Sequence, residues 1–296
     1  MSIKKNQDIV LGVLVTIMWG SNFSIIAMGL KDLDPFALTL LRFFFCAFPL
    51  IFFVKRPRDI SVFYMMAYGI IFGSGLWWVV NFAIYSGLSA GLSSIFLQFS
   101  AFFTIILSVI FLKEKVTTSH LFGGIVSMSG LIMIMYCSDY NTTVKGVIYV
   151  LLAALAWSIC NIIIKIKKPS DMLAFIIWSS LFSVPSVLVM SLWVKGIDTI
   201  LLIPYQITWG SAFSVLFQAY VTTIIGYKIW NNLMKKHPSY VIAPLSLIVP
   251  VSGILTSSIF FDESFTTLQW IAVAIIILGI SIFLLAGRTN LFIRLR

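Results

Sequence analysis

The chain has 296 residues, 60% of them hydrophobic and only 10% charged, against about 45–50% apolar and roughly a quarter charged in an ordinary soluble domain. That balance excludes a soluble globular protein and leaves a membrane protein. The net charge of +10 is spread between apolar blocks rather than gathered on one solvated face, which excludes a nucleic-acid partner, and three cysteines, Cys46, Cys137 and Cys160, offer no disulfide or metal framework.

A first apolar block follows Lys4 and Lys5 as in a signal peptide, yet it runs well past such a core and has no small-residue cleavage site, so a retained helix is expected. Set against the ~20 residues needed to cross hydrocarbon, the apolar runs predict helices near 9–30, 35–54, 62–86, 90–112, 118–136, 146–166, 172–193, 207–233, 239–261 and 267–286. A membrane barrel would alternate in polarity, whereas these runs are continuously apolar. The predicted class is therefore an all-α membrane protein of ten transmembrane helices, with the bilayer as its main partner.

Polar residues inside these helices are the candidates for function. In the first helix Trp19 and Asn22 form a short stripe. In the second, Arg42 costs about 2.5–3.5 kcal/mol to insert and must face a cavity or a partner. It reads either as the binding group for a carboxylate or other anionic part of a solute, or as a structural residue stacked on an aromatic ring. In the third, Ser74, Trp77, Trp78, Asn81 and Tyr85 recur at spacings of three and four, on one helical face. Ser94 with Gln98 in the fourth and Trp157 with Asn161 in the sixth are similar pairs. Together they suit a cavity for a small polar metabolite, since amides both donate and accept hydrogen bonds; each one singly also fits helix-to-helix packing. Lys228 lies near the end of the eighth helix, where it either enters the cavity as a second cation or snorkels to the headgroups. In the ninth, Pro244 and Pro250 remove helical hydrogen bonds, which marks either a gating bend or a packed kink. Gly123, Gly124, Gly130 and Gly279 suit close helix contact.

Charge by loop gives orientation, because cytoplasmic loops retain Lys and Arg. With the N-terminus inside, fifteen of the 20 basic residues fall in cytoplasmic segments, and only Lys31, Lys145 and Lys195 fall outside. Both termini are then expected in the cytoplasm. The chain also repeats itself. Val116-Thr117-Thr118 after Glu114 matches Phe265-Thr266-Thr267 after Glu263, and Gly130 matches Gly279, all at an offset of 149. Two five-helix units, 1–140 and 141–296, are expected, and because five is odd the second enters the membrane from the opposite side as an inverted repeat.

The chain resembles the drug/metabolite transporter superfamily, and within it the EamA-type carriers, in Trp19-Gly20-Ser21-Asn22-Phe23, Leu40-Leu41-Arg42-Phe43-Phe44, and Ala90-Gly91-Leu92-Ser93-Ser94 running into Leu97-Gln98. The likeness continues in Gly226-Tyr227, in Val241-Ile242-Ala243-Pro244 with Val249-Pro250, and in Asp262-Glu263. It is nearest to bacterial amino-acid metabolite exporters of the cysteine and O-acetylserine kind, and Lys228 departs from them, because a small residue is expected there. The resemblance adds Tyr227 to the cavity candidates. It implies a secondary transporter in a bacterial inner membrane that exports amino acids or their derivatives by alternating access, with uptake or exchange of nucleotides or S-adenosylmethionine as the alternative.

No P-loop, nucleophile elbow or His-Glu-x-x-His occurs, and His120 and His237 fall in predicted loops. An enzyme is not expected, nor is a cofactor or metal. Glu114, Asp262 and Glu263 sit at the water boundary and read as caps or ion-pair partners. No acidic residue falls inside a predicted helix, so exchange, facilitated diffusion and proton coupling all stay open.

Overall fold

The structure is a computed structural model that describes residues 2–113, 118–136, 143–236, 245–246 and 248–294. Ten long helical segments follow one another: α1 Ser2–Gly29, α2 Pro35–Ala47, α3 Val62–Tyr85, α4 Ala90–Leu112, α5 Thr118–Tyr136, α6 Val144–Lys167, α7 Met172–Lys195, α8 Trp209–Trp230 running on to Lys236, α9 Ile248–Phe261 and α10 Thr267–Arg294. Two helical turns, Asp198–Leu201 and Ile203–Gln206, join α7 to α8. Among the described residues there is no strand.

Among the described residues seven helical spans, α1 to α4 and α6 to α8 with α2 continued through Phe52, are long and apolar enough to cross a membrane; α5, α9 and α10 carry shorter apolar stretches, Leu121–Met133, Ile248–Phe261 and Thr267–Ile282. The expected ninth helix begins at 239, while its described part begins at Ile248, so Pro244 lies outside the described residues, as do Glu114, Cys137 and His237.

Helix starts follow local chemistry. Asp34 accepts from the Phe36 N–H at 2.8 Å and is followed by Pro35 at the first helical position, where a missing N–H costs nothing. Ser89, Thr143, Asp171 and Thr208 cap α4, α6, α7 and α8 in the same way. Pro185 lies inside α7, within the predicted run 172–193. Pro49, within the predicted run 35–54, does not lie inside α2: the regular helix stops at Ala47 and Phe48 is extended, the geometry a proline favours in the residue before it.

Among the described residues two helices contain a π-helical stretch. Residues Ile71–Trp78 of α3 and Phe217–Gly226 of α8 are wound as π-helix, a form that gathers at functional sites.

Hydrogen bonds fix the relative directions of the packed helices. Ser127 Oγ donates to Ile276 O at 3.2 Å, and the positions of Gly130 and Gly279 abut Ala272 and Gly123, so α5 and α10 run antiparallel. The pair α2 and α7 is antiparallel too, tied by Lys195–Asp34 at 3.7 Å near one end and by Trp178 Nε1 to Val54 O at 2.9 Å near the other. By contrast α1 runs parallel to α9, through Ser252 to Ile17 O and Ser24 to Thr256. So does α4 to α6, through Asn161 to Thr104 and Lys165 to Ser108. The outward surface is apolar along most helices, with Trp193, Tyr205 and Trp209 standing exposed near one end, where aromatic rings suit a membrane interface.

A candidate solute cavity

The two ends of the helix bundle differ. At one, α1–α2 meets α7–α8 and α3–α4 meets α9–α10: Thr208 Oγ1 donates to Asp32, Lys195 pairs with Asp34, Ser89 Oγ donates to Glu263 Oε2 at 2.7 Å, and Lys31 Nζ lies over the Phe261 ring. This end is closed by polar contacts between distant parts of the chain. The other end carries Lys55, Arg56, Arg58, Lys167, Lys168 and Lys236. There Lys236 pairs with Asp8 at 3.3 Å, Lys167 Nζ lies over the Tyr64 ring, and Asp59 accepts from the Ser170 N–H at 2.8 Å. That hydrogen bond holds the Asp59 carboxyl below its usual 3.8.

Between them is a cavity of about 520 Å³, within the ~300–1,000 Å³ of small-molecule sites. Its wall draws on α1 (Trp19, Asn22, Phe23), α2 (Arg42), α3 (Trp77), α4 (Leu97, Gln98, Ser100, Ala101, Thr104), α6 (Trp157, Asn161, Ile164), Met172 of α7, α8 (Thr222, Tyr227, Trp230) and the chain around Ser246 and Val249. The set runs from the middle of the helices toward the basic end. Arg42 is its single charged member among the described residues.

Arg42 is 1% exposed, so its charge has lost water and needs replacement partners. Its guanidinium lies 3.8 Å from the Trp77 ring centroid, donates from Nη1 to Gln218 Oε1 at 3.3 Å and from Nη2 to Thr223 Oγ1 at 3.0 Å. One side chain thus stacks on an aromatic ring and forms part of a cavity wall, the two arrangements the sequence left open. The π-helical winding makes this possible. On α8 the Thr222 and Thr223 hydroxyls both donate to Gln218 O at 2.8 Å, and Gln218 Nε2 continues to Ser214 Oγ at 3.0 Å, which reaches Ile25 O at 2.6 Å on α1. Arg42 is therefore held by a chain of bonds crossing three helices.

The aromatic wall continues from Trp77 through Phe72 (6.4 Å between centroids) to Tyr227 (6.0 Å), then to Trp19 and Trp230 (5.3 Å each step). Trp19 Nε1 donates to Thr222 O at 3.0 Å, and Asn161 Nδ2 to Thr104 Oγ1 at 3.2 Å. Gly226 abuts the Trp19 indole, where a Cβ would stand 2.7 Å from Nε1; the close approach of α8 to α1 needs a residue without a side chain there. Asn22 Oδ1, Arg42 Nε and Trp77 Nε1 are buried without a hydrogen-bond partner among the described residues, a cost of about 1–3 kcal/mol for each such group.

Of the residues singled out from sequence, Trp19, Asn22, Arg42, Trp77, Gln98, Trp157, Asn161 and Tyr227 meet on this wall, whereas Ser74, Trp78, Asn81, Tyr85, Lys228 and Ser94, whose hydroxyl donates to Gly91 O, do not. Trp78 stacks on Phe82 and Phe36 at 5.3 and 4.8 Å, and Asn81 donates to Thr39 Oγ1 at 2.9 Å on α2. Their stripe was drawn with 3.6 residues per turn, and the wider π winding through Trp78 turns Trp77 into the cavity while sending its neighbours elsewhere. Ser74 pairs with Ser186, and Tyr85 is exposed. Lys228 is exposed and off the wall: it directly follows Tyr227, and one residue along an α-helix turns the side chain by about 100°. Pro250 is buried in the first described turn of α9, beside the wall residue Val249. Sequence reading missed Thr222, Trp230, Thr104 and the Arg42 partners Gln218 and Thr223. The polar run Gln218, Thr222, Thr223 in an apolar helix carried the signal, at the four-residue spacing used for the other stripes.

The chain matches the EamA-like transporter family over residues 7–136 and again over 144–285. It is 34% identical over 283 residues to the "Probable amino-acid metabolite efflux pump" of Escherichia coli K12, covering 93% of this chain and 94% of the relative. It is 32% identical over 282 residues to the protein of the same description from Salmonella typhimurium LT2, with the same coverage. A solved crystal structure superimposes with a TM-score of 0.60 at 15% identity, covering 96% of this chain and 99% of the other, a likeness of fold.

Proposed function

This chain belongs to the EamA-like transporter family, and from that membership we propose that it is a secondary carrier exporting amino acids or amino-acid derivatives across a bacterial inner membrane by alternating access. Multi-pass membrane placement and metabolite transport come with the family; the solute, the direction and the cycle are our reading. The observation that carries it is the cavity itself: a single desolvated cation, four indoles and three amides enclose a volume suited to a small polar solute, closed at one end and reaching toward the other. Both relatives above 30% identity are described as amino-acid metabolite efflux pumps, which supports the same solute class.

We take the fold to be ten membrane helices in two inverted five-helix repeats, 1–140 and 141–296. The double family match and the antiparallel α2–α7 and α5–α10 pairs support this, since helices related by inversion run in opposite directions. With the basic end and both termini in the cytoplasm, the conformation faces inward, and the contacts Ser89–Glu263, Thr208–Asp32 and Lys195–Asp34 form the outer seal. Pro250 supplies the bend at which α9 gates the cavity. The second reading, uptake or exchange of nucleotides or S-adenosylmethionine, draws on the faces of Trp157 and Trp230, which suit stacking of a base.

Counterflow in proteoliposomes with labelled amino acids, cysteine precursors, nucleotides and S-adenosylmethionine tests this. Saturable exchange of the amino-acid class is the expected result. Exchange of nucleotides alone would replace the first reading with the second, and no exchange of any solute by well-folded protein under imposed proton and sodium gradients would remove both.

A further inference from the structure

Polar atoms on the cavity wall divide into those already bonded and those left without a partner. Trp19 Nε1, Asn161 Nδ2 and both Arg42 Nη atoms each donate to one protein acceptor. Arg42 Nε, Trp77 Nε1 and Asn22 Oδ1 have no partner among the described residues, although the three residues are 1%, 7% and 1% exposed. The first two are donors on side chains in contact, the guanidinium carbon lying 3.8 Å from the indole ring centroid. The third is an acceptor one helical turn from Trp19, whose ring packs on Tyr227 at 5.3 Å. Buried polar groups are rarely left unbonded unless something absent from the structure completes them, and these three residues share one cavity.

Their chemistry selects the missing group. Two adjacent donors, one cationic, suit the two oxygens of a carboxylate, which only accept. An acceptor beside indole and phenol faces suits an ammonium, which only donates and is drawn to π faces. A net cation would meet Arg42 with no acidic residue on the described wall to offset it, and a net anion would leave Asn22 without a donor. We propose that Arg42, Trp77 and Asn22 form a head-group subsite for a free α-amino acid, with the carboxylate on Arg42 Nε and Trp77 Nε1 and the ammonium on Asn22 Oδ1 against Trp19 and Tyr227. The solute side chain then lies toward Trp157, Ile164 and Met172 at the basic end. Because the three atoms are covered in this conformation, filling the subsite displaces the side chains over them and so links occupation to rearrangement of the wall. This assignment rests on the reading of the cavity as the transport site.

The test uses the full chain in lipid nanodiscs and reads binding from the fluorescence of the four cavity indoles. The probes are two matched series: L-cysteine, N-acetyl-L-cysteine, L-cysteine methyl ester and cysteamine, and L-leucine, N-acetyl-L-leucine, L-leucine methyl ester and isoamylamine. In at least one series the free amino acid is expected to bind ten times or more tightly than all three relatives, and Asn22→Leu is expected to remove its advantage over the N-acetyl form. If in both series any of the three relatives binds within tenfold of the amino acid, the subsite is wrong, and that result needs no variant. An unchanged ratio in folded Asn22→Leu overturns it as well. If neither series binds while counterflow of another solute is saturable, the carrier reading stands and the head-group assignment falls; absence of all counterflow removes the carrier reading itself.

Discussion

Replacing Arg42 by glutamine separates a solute-binding role from a purely structural one. In the parent the guanidinium makes two side-chain hydrogen bonds, to Gln218 and Thr223, and its nearest ring contact is to Trp77. Losing the ring contact costs about 2 kcal/mol at a desolvated site, and leaving Gln218 Oε1 without its donor costs about 1–3 kcal/mol more. Against this, the variant no longer holds a charge in an apolar helix, which returns about 2.5–3.5 kcal/mol. These terms nearly cancel, so the thermal midpoint in nanodiscs is expected to change little. Solute binding has no such offset. A charge-assisted hydrogen bond is worth about 1.5–3 kcal/mol, and at about 1.36 kcal/mol per tenfold its loss weakens apparent affinity by roughly 10- to 150-fold. Saturation curves for counterflow of a labelled amino acid, run beside thermal unfolding of the same preparations, provide both quantities. An apparent affinity within twofold of the parent, whatever happens to the midpoint, would refute the assignment of a binding role to Arg42.

Lys228→Gln is expected to leave exchange within about twofold of the parent in the same assay, since Lys228 is exposed and off the cavity wall; a large loss would place the lysine in the path. Gly20→Ala is expected to destabilise by about 1–3 kcal/mol, because the added Cβ meets Ser252 and the Val249 carbonyl of α9. Gly124→Ala has its nearest neighbour at 3.8 Å and should be tolerated, and thermal unfolding of the two variants compares them. Asp59 is the pH-sensitive contact between the α2–α3 and α6–α7 connections. Its folded pKa is lowered, so the contact it makes with Ser170 is at full strength above the usual 3.8 and is lost as pH falls through the lowered value. Hydrogen exchange at residues 168–171, corrected for intrinsic rate, should rise over that window in the parent and show no such step in Asp59→Asn.

How much was legible depended on which physical effect set each feature. Helix positions were readable because burial in lipid demands continuous apolar runs: α4 spans Ala90–Leu112 and α5 spans Thr118–Tyr136, as the runs predict. Arg42 was readable because a lone charge in such a run has few uses. The third-helix stripe was not, because its face was computed at 3.6 residues per turn, and nothing local announces the π winding of Ile71–Trp78. Trp77 and Trp78 are chemically alike and adjacent; only the turn on which they sit separates a wall residue from a packing one. The predicted run 35–54 passes over Pro49 for a related reason, since membrane helices accept prolines when neighbours repair the backbone, as α7 does for Pro185, and here the regular helix ends instead.

The sequence by itself determined that the chain is a bundle of apolar helices, because composition and run length answer to the solvent and to nothing else in the molecule. It also determined which side chains are costly enough in lipid to need a reason. What those side chains meet was decided by tertiary structure: that Arg42 of α2 finds Trp77 of α3 and Gln218 and Thr223 of α8, 176 and 181 residues away. A desolvated charge fixes how much partnership it requires. The partners themselves depend on which helices the packing brings alongside, and on how tightly each of those helices is wound.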